Sequence, residues 1–264
     1  MDSLYIIKIG GAIIDDEPKL KQFIALISSI KERKIIVHGG GKQVDKLALT
    51  LGIQQQMMDG RRITDADTLQ LATMVYAGLI NKRIVALMQA QGDDALGLSG
   101  ADANCIQAKK RIKSEIDFGF VGDIPYNGIN TAFLSMLLEQ EIVPVFCSIT
   151  HDKEGQLLNT NADTLASALS VAMSNRYEVQ LHYCFEKKGV LHNVNDENAV
   201  IPNLTMKQYQ ELRKNNIVAK GMIPKLDTAF DAVTKGVKTV VILSAEEILT
   251  HIHAIKNVGT HLTA

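Results

Sequence analysis

A lysine stands inside an otherwise apolar run, Leu4-Tyr5-Ile6-Ile7-Lys8-Ile9, just before the pair Gly10-Gly11. A cation there is costly unless an anion accompanies it or its aliphatic stem carries the charge out to water. A second apolar run, Lys34-Ile35-Ile36-Val37, ends in His38-Gly39-Gly40-Gly41. Glycines at such junctions let main-chain N–H groups come within hydrogen-bonding distance of an anion, although a plain turn could ask for one glycine. Further along, Asn159-Thr160-Asn161-Ala162-Asp163 places an acid at the start of a strongly apolar helical pattern, where capping alone could account for it. Gly221-Met222-Ile223-Pro224-Lys225 puts a lysine in the first turn of a helix, a position the helix dipole disfavours unless an anion is bound nearby. Two glycine loops with these charges point to phosphate contact.

The commonest phosphate motifs are absent. A Walker loop needs a glycine where Ile36 stands and Ser or Thr where Gln43 follows Lys42. The dinucleotide fingerprint needs a glycine where Val44 stands.

The elements that must hold these residues alternate along the chain. Strand patterns at 4–9, 34–37, 95–98, 142–148, 179–185 and 239–243 are nearly continuous in Ile and Val. Helical patterns fall at 18–31, 43–51, 65–89, 132–139, 164–173, 206–214 and 225–235. Such alternation predicts an α/β chain with a mostly parallel sheet covered on both faces, and the glycine loops then lie at the carboxyl ends of strands, where ligands of open sheets bind. Polar Asp152 to Glu154 beside Gly155 predicts one hairpin. With 264 residues, 46% of them hydrophobic, the chain can bury a large core. A net charge of −1, with its 28 basic residues dispersed, argues against nucleic acid as a partner. Strand 4–9 begins too early for a signal peptide, and no unbroken apolar run nears the ~18 residues that span a bilayer. Cys105, Cys147 and Cys184 lie far apart in apolar surroundings, as in a reducing compartment; the expected location is cytoplasmic, with no membrane partner. His251 and His253, two apart, do not share a helix face, and no metal site is expected from them.

Taken in order, Lys8-Ile9-Gly10-Gly11, His38 to Gly41, Gly60-Arg61-Arg62-Ile63-Thr64, Gly97-Leu98-Ser99-Gly100, Leu158 to Asp163 and Gly221 to Lys225 resemble the amino acid kinase superfamily, and within it the acetylglutamate kinases. The resemblance spans nearly the whole chain. It implies a three-layer α/β/α sandwich, with residues 1–173 as the lobe for acyl amino acid binding and dimerisation and 174–264 as the ATP lobe, on a continuous sheet. It also implies ATP-dependent phosphorylation of the side-chain carboxylate of N-acetyl-L-glutamate, the second step of arginine synthesis by the acylated route. A carboxylate nucleophile is already ionised, so such a site needs no general base; its task is to bring anions together and hold them in line. By resemblance Lys8 and Lys225 neutralise the transferring phosphoryl group and Asp163 orients both lysines. Gly10 and Gly11 bind phosphate, Gly40 and Gly41 offer N–H donors to substrate oxygens, Arg62 pairs the substrate α-carboxylate, and Asn159 also contacts substrate. Mg²⁺ is expected to travel with ATP, held mainly by phosphate oxygens and water.

The chain departs from that pattern in places. Cys184-Phe185-Glu186-Lys187-Lys188-Gly189 stands where relatives usually carry Ser/Thr-Asp-Val before a glycine, so Glu186 is the candidate for the missing acid near the nucleotide. The N-terminus lacks the extra helix of arginine-inhibited, hexameric relatives, so a homodimer without arginine feedback is expected. Arg61 stands where relatives usually have an apolar residue, and a second guanidinium could read an N-succinyl group instead of N-acetyl. If the segment is extended, however, Arg61 and Arg62 point to opposite faces. Two other readings remain open: another superfamily activity, on carbamate, aspartate, glutamate or UMP, and a catalytically silent sensor.

Overall fold

The computed structural model describes residues 1–58, 61–112, 116–193, 196–215, 217–218 and 221–264, and of Arg61 the main chain only. The chain opens with strand β1 (Ser3–Ile9), helices α1 (Gly11–Ile14) and α2 (Glu17–Ser28), strand β2 (Arg33–His38) and helix α3 (Gly41–Leu51). A hairpin of β3 (Gln56–Met58) and β4 (Arg61–Ile63) leads into α4 (Ala66–Thr73), which passes through a π-helical turn, Met74–Ile80, into α5 (Asn81–Gln89). Then come β5 (Ala95–Leu98), the short β6 (Lys109–Lys110) and β7 (Gly122–Asp123), α6 (Thr131–Glu139) and β8 (Val143–Cys147). The expected hairpin is β9 (Ile149–His151) with β10 (Leu157–Asn159), and α7 (Ala162–Met173) follows it. The remainder holds β11 (Glu178–Phe185), β12 (Asn203–Thr205), α8 (Met206–Lys214), α9 (Ile223–Thr234), β13 (Thr239–Ser244), α10 (Ile248–Ile252) and β14 (Thr260–Thr263).

Eight strands form one sheet in the order β12-β14-β13-β11-β1-β2-β8-β5, with β1 and β11 at its centre. Every pair from β13 to β5 is parallel, and β14 turns the far edge antiparallel. Strand alternation sorts the apolar run of β1 to both faces: Leu4 and Ile6 join the core under α6, α7 and α9, whereas Tyr5, Ile7 and Ile9 join the one under α2, α3 and the long helix. That double burial is why β1 carries no polar face except at Lys8. The sheet is continuous across residues 173 and 174, since β1 pairs with β11 along seven positions.

The stretch Ala66–Gln89 is one helix of 24 residues, with a window of mean hydropathy 1.3, long and apolar enough to cross a membrane. Read as unbroken apolar runs, the sequence gives no such segment; here the helix packs Leu71, Val75, Ile80, Ile84 and Met88 into the second core. The short strands β12 and β14, and the hairpins β3–β4 and β6–β7, carry no periodicity that sequence reading could find.

Candidate active site

At the carboxyl ends of β1 and β2 a cleft of about 250 Å³ is lined by Lys8, Gly11, Gly39, Gly40, Gly41, Arg62, Asn159 and Asp163, together with Tyr76 and Arg111. The strand register explains the convergence. Lys8 pairs with Val37 on one side and Tyr183 on the other, so the end of β1 lies between the His38–Gly41 loop and the Phe185 turn. Lys8 Nζ lies 2.7 Å from Asp163 Oδ1, and the two side chains are 7% and 10% exposed. The anion that a buried lysine requires is therefore Asp163.

Capping does not explain Asp163. The cap of α7 is Asn161, whose side-chain oxygen accepts from the N–H groups of Asp163 at 2.8 Å and Thr164 at 3.1 Å. Asp163 stands inside the first turn, where the helix dipole favours its charge. Among the described residues its ion pair is with Lys8, while Lys225 Nζ sits 3.7 Å from the centre of the Phe185 ring, which Lys8 Nζ also approaches at 4.7 Å, and feels the Asp163 charge without an ion pair to it. Phe185 thus gives both ammonium groups an aromatic partner. Burial and the neighbouring Lys8 charge push the Lys225 pKa below the ordinary lysine value, with Asp163 and Glu186 acting the other way.

The two glycines after β1 have different surroundings, beginning with Gly10, the expected phosphate ligand. Its N–H already donates to Cys184 O at 2.8 Å, and a Cβ there would lie 2.7 Å from that same carbonyl. Gly10 lets β1 pass close to β11. Gly11 opens α1, has open space where a Cβ would be, and as a first helical residue keeps an N–H with no intrahelical acceptor.

Around the second loop, Gly40 has φ +144°, and a Cβ there would lie 2.1 Å from Ile80 Cδ1 in the π-helical turn. Gly41 begins α3 and faces the Arg62 guanidinium. His38 fixes the loop from below: Nδ1 bonds Gly39 O at 2.9 Å and Nε2 accepts from the Asn81 amide at 3.1 Å, an assignment that requires the neutral ring. Burial pushes its pKa down to about 4, in keeping with that.

Arg62 donates to Asp45 Oδ1 at 2.6 Å, to Gln55 Oε1, and to Gly41 O at 3.2 Å. Burial opposes its charge, but Asp45 and Tyr76 outweigh that and hold its pKa above the ordinary value. Asn159 donates to Thr64 Oγ1 at 3.0 Å, joining β10 to the end of β4. Gly60 and the Arg61 side chain, on which the second-guanidinium expectation rests, lie outside the described residues. Glu186, with Phe185, Lys187 and Lys188, lines a neighbouring cavity against α1, α2 and Ser244. His251 packs against His182 and His261, ring centroids 5.0 and 5.1 Å apart, rather than with His253. Among the described residues no group of three His, Cys, Asp or Glu side chains is placed to hold a metal.

Two residues of the cleft, and one beside it, escape sequence reading. Tyr76 sits in a helical pattern that reads as core and Arg111 follows Lys109-Lys110 in a basic stretch, while Phe185, which lines the neighbouring cavity, sits in a run that reads as strand.

Together the cleft offers Lys8, a buried carboxylate that positions it, helix-start N–H groups and two guanidinium groups, and Lys225 stands nearby against Phe185. That arrangement can gather anions and offers electrostatic rather than covalent help. Comparison with known proteins gives a consistent picture. Residues 3–244 match the model of the amino acid kinase family. The acetylglutamate kinase of Cytophaga hutchinsonii is 50% identical over 265 residues, covering 100% of both chains. That of Phocaeicola vulgatus is 49% identical over 94% of this chain and 95% of its own. A crystal structure of a Streptococcus mutans protein, smu.665, superposes with a TM-score of 0.81 at 28% identity, covering 99% of this chain and 98% of the other.

Proposed function

The chain belongs to the amino acid kinase family, and on that premise we infer that it is a kinase that transfers the γ-phosphoryl group of ATP to the side-chain carboxylate of N-acetyl-L-glutamate, in arginine biosynthesis. The observation that carries this is full-length identity of about one half to acetylglutamate kinases. The same relatives do not favour N-succinyl-L-glutamate as the acceptor.

Roles follow from the chemistry each group can do. Two polyanions must meet, so Lys8 and Lys225 neutralise the phosphoryl oxygens as charge redistributes, and Asp163 holds Lys8 at its post. The N–H groups of Gly11, Gly40 and Gly41 donate to phosphate and substrate oxygens. Arg62 takes the α-carboxylate through its planar fork, sharing it with Asp45, and Asn159 positions the acceptor beside it. Retention of Lys8 and Asp163 in the cleft, with Lys225 close by against Phe185, favours catalysis over a silent sensor, which needs no such set of charges.

Mg²⁺ fits this donor set as a passenger of ATP. Among the described residues the one buried carboxylate lining the cleft, Asp163, is engaged by Lys8, which suits a metal carried by phosphate oxygens and water. When bound, it withdraws charge from the bridging phosphate oxygens. Residues 1–173 serve the acceptor and 174–264 the nucleotide. The chain pairs as a homodimer that covers exposed Leu49, Met74 and Leu79, and works in the cytoplasm, where its three buried cysteines stay free.

ADP release measured with ATP and a panel of N-acetyl-L-glutamate, carbamate, aspartate, glutamate and UMP tests the function. Turnover is expected with the acylated acceptor; none with it, or faster turnover with another, rejects the reading.

A further inference from the structure

We propose that Arg111 is a specificity residue of the acceptor pocket, donating from Nη1 to an oxygen of the acyl group. The proposal rests on the acylglutamate kinase reading above. Arg111 lines the same cleft as Lys8, Arg62 and Asn159, with a side chain only 11% exposed. Its fork is anchored on one side. Nε donates to both carboxylate oxygens of Asp123, at 2.9 and 3.2 Å, and Nη2 donates to Oδ1. The guanidinium also lies 5.5 Å from the centre of the Phe118 ring. Nη1, buried, has no acceptor among the described residues.

A guanidinium N–H removed from water without an acceptor is unfavourable, and the planar fork cannot turn it elsewhere while Nε and Nη2 stay on Asp123. Nη1 is thus a fixed donor awaiting an oxygen. The main chain fixes it further. Arg111 N–H donates to Val121 O at 2.7 Å, and Val121 bridges to Asn159. Arg111 is therefore tied through Val121 to the strand that carries Asn159.

The oxygens of the acceptor can be assigned in turn. An acylated glutamate brings an α-carboxylate, which Arg62 takes, and a side-chain carboxylate, which must lie at the Lys8 end to meet the phosphoryl group. The acyl oxygen is what remains, and Nη1 of Arg111 is the donor that remains. The shared chemistry is an oxygen acceptor on the acyl group, whether its carbonyl or a carboxylate at the end of a longer acyl chain.

The test uses the full chain and steady-state kinetics with ATP, N-acetyl-L-glutamate and N-succinyl-L-glutamate, in wild type, Arg111→Gln and Arg111→Lys. The expected result for Arg111→Gln is an acceptor KM raised about tenfold or more, the scale of one hydrogen bond to a charged group, with the KM for ATP unmoved. Arg111→Lys, which keeps the charge near Asp123 but loses the second arm of the fork, falls between; it also decides the matter if the Gln variant does not fold. A wild-type preference for the succinyl compound that vanishes in either variant assigns the oxygen to a terminal carboxylate, and a comparable rise in KM for both compounds assigns it to the carbonyl that they share. An acceptor KM within twofold of wild type in a folded variant overturns the proposal, as does a rise in the KM for ATP alone. Wild type that turns over neither acylated compound overturns the function itself, a separate outcome.

Discussion

The Lys8 ammonium lies 2.7 Å from Asp163 Oδ1, and neither side chain is more than a tenth exposed. Removing one partner leaves an uncompensated buried charge, at a cost of about 3–5 kcal/mol of stability, whereas replacing both by apolar groups of similar size is close to neutral. Lys8→Ala and Asp163→Ala should therefore lower both Tm and kcat, with kcat down by about two to three orders of magnitude. The double variant Lys8→Met/Asp163→Leu should recover much of the Tm and none of the activity. Thermal melts beside single-turnover rates measure this; wild-type kcat in Lys8→Ala would remove Lys8 from the chemistry.

Neighbouring glycines should fail in opposite ways. Gly10→Ala drives a Cβ to 2.7 Å from the Cys184 carbonyl, so the β1–β11 pairing must shift and stability should fall by about 1–3 kcal/mol. Gly11→Ala meets nothing within 4 Å, and should keep its Tm while kcat/KM falls as the methyl group enters the phosphate path. Denaturation midpoints and kinetics on the two variants separate the cases. Equal loss of stability in both would contradict the division of labour.

Arg62 acts on the acceptor's ground state and transition state alike, so Arg62→Ala should mainly raise the acceptor KM, by about tenfold or more, with a smaller change in kcat. An initial-rate matrix in both substrates reads this directly. A variant with its acceptor KM intact would reassign the α-carboxylate to another group.

Lys225 must be protonated to neutralise the phosphoryl group, and its pKa lies below the ordinary lysine value of 10.5 because of burial and Lys8. Activity should then be full below that lowered pKa and decline as pH rises through it, giving kcat/KM an alkaline limb earlier than a free lysine would. Arg stays charged throughout, so Lys225→Arg should push the limb to higher pH, whatever its maximal rate. A limb unmoved by the substitution belongs to another group.

Acid should weaken the fold through buried histidines. Burial, and the charges of His251 and His261, push His182 down to about 3, and burial pushes His38 down to about 4. Unfolding frees both to take a proton near 6.5. Below that pH the unfolded chain binds more protons than the folded one, so stability is complete above about 6.5 and is lost as pH falls toward 4 and below. Each such histidine contributes a slope of up to about 1.4 kcal/mol per pH unit. His182→Phe should flatten the dependence of ΔG on pH between 6.5 and 4, whatever it does to stability at pH 7. Urea melts across that range decide the point, and an unchanged slope would acquit His182.

What sequence alone determined is whatever local physics writes into neighbouring residues. Runs of Ile and Val stopped by glycine mark strands buried on both faces, and amphipathic spacing marks the helices between them. A lysine in such a run announces a distant anion without naming it. Lys8, Asp163, Lys225 and the two glycine loops were legible for that reason. What the tertiary structure decided is which groups meet. The sheet order puts β1 between β2 and β11, so Asp163 falls to Lys8, and Phe185 comes to lie under both lysines. It also separates Gly10, whose N–H the next strand takes, from Gly11, whose N–H stays free of the ladder. Likewise it turns Asn161 rather than Asp163 into the cap, and carries Arg111 from an unremarkable basic run into the cleft. Apart from the cap, which lies within 161–164, no window of sequence contains these facts, because each is a contact between segments far apart in the chain, and its energy exists only once the sheet has brought them together.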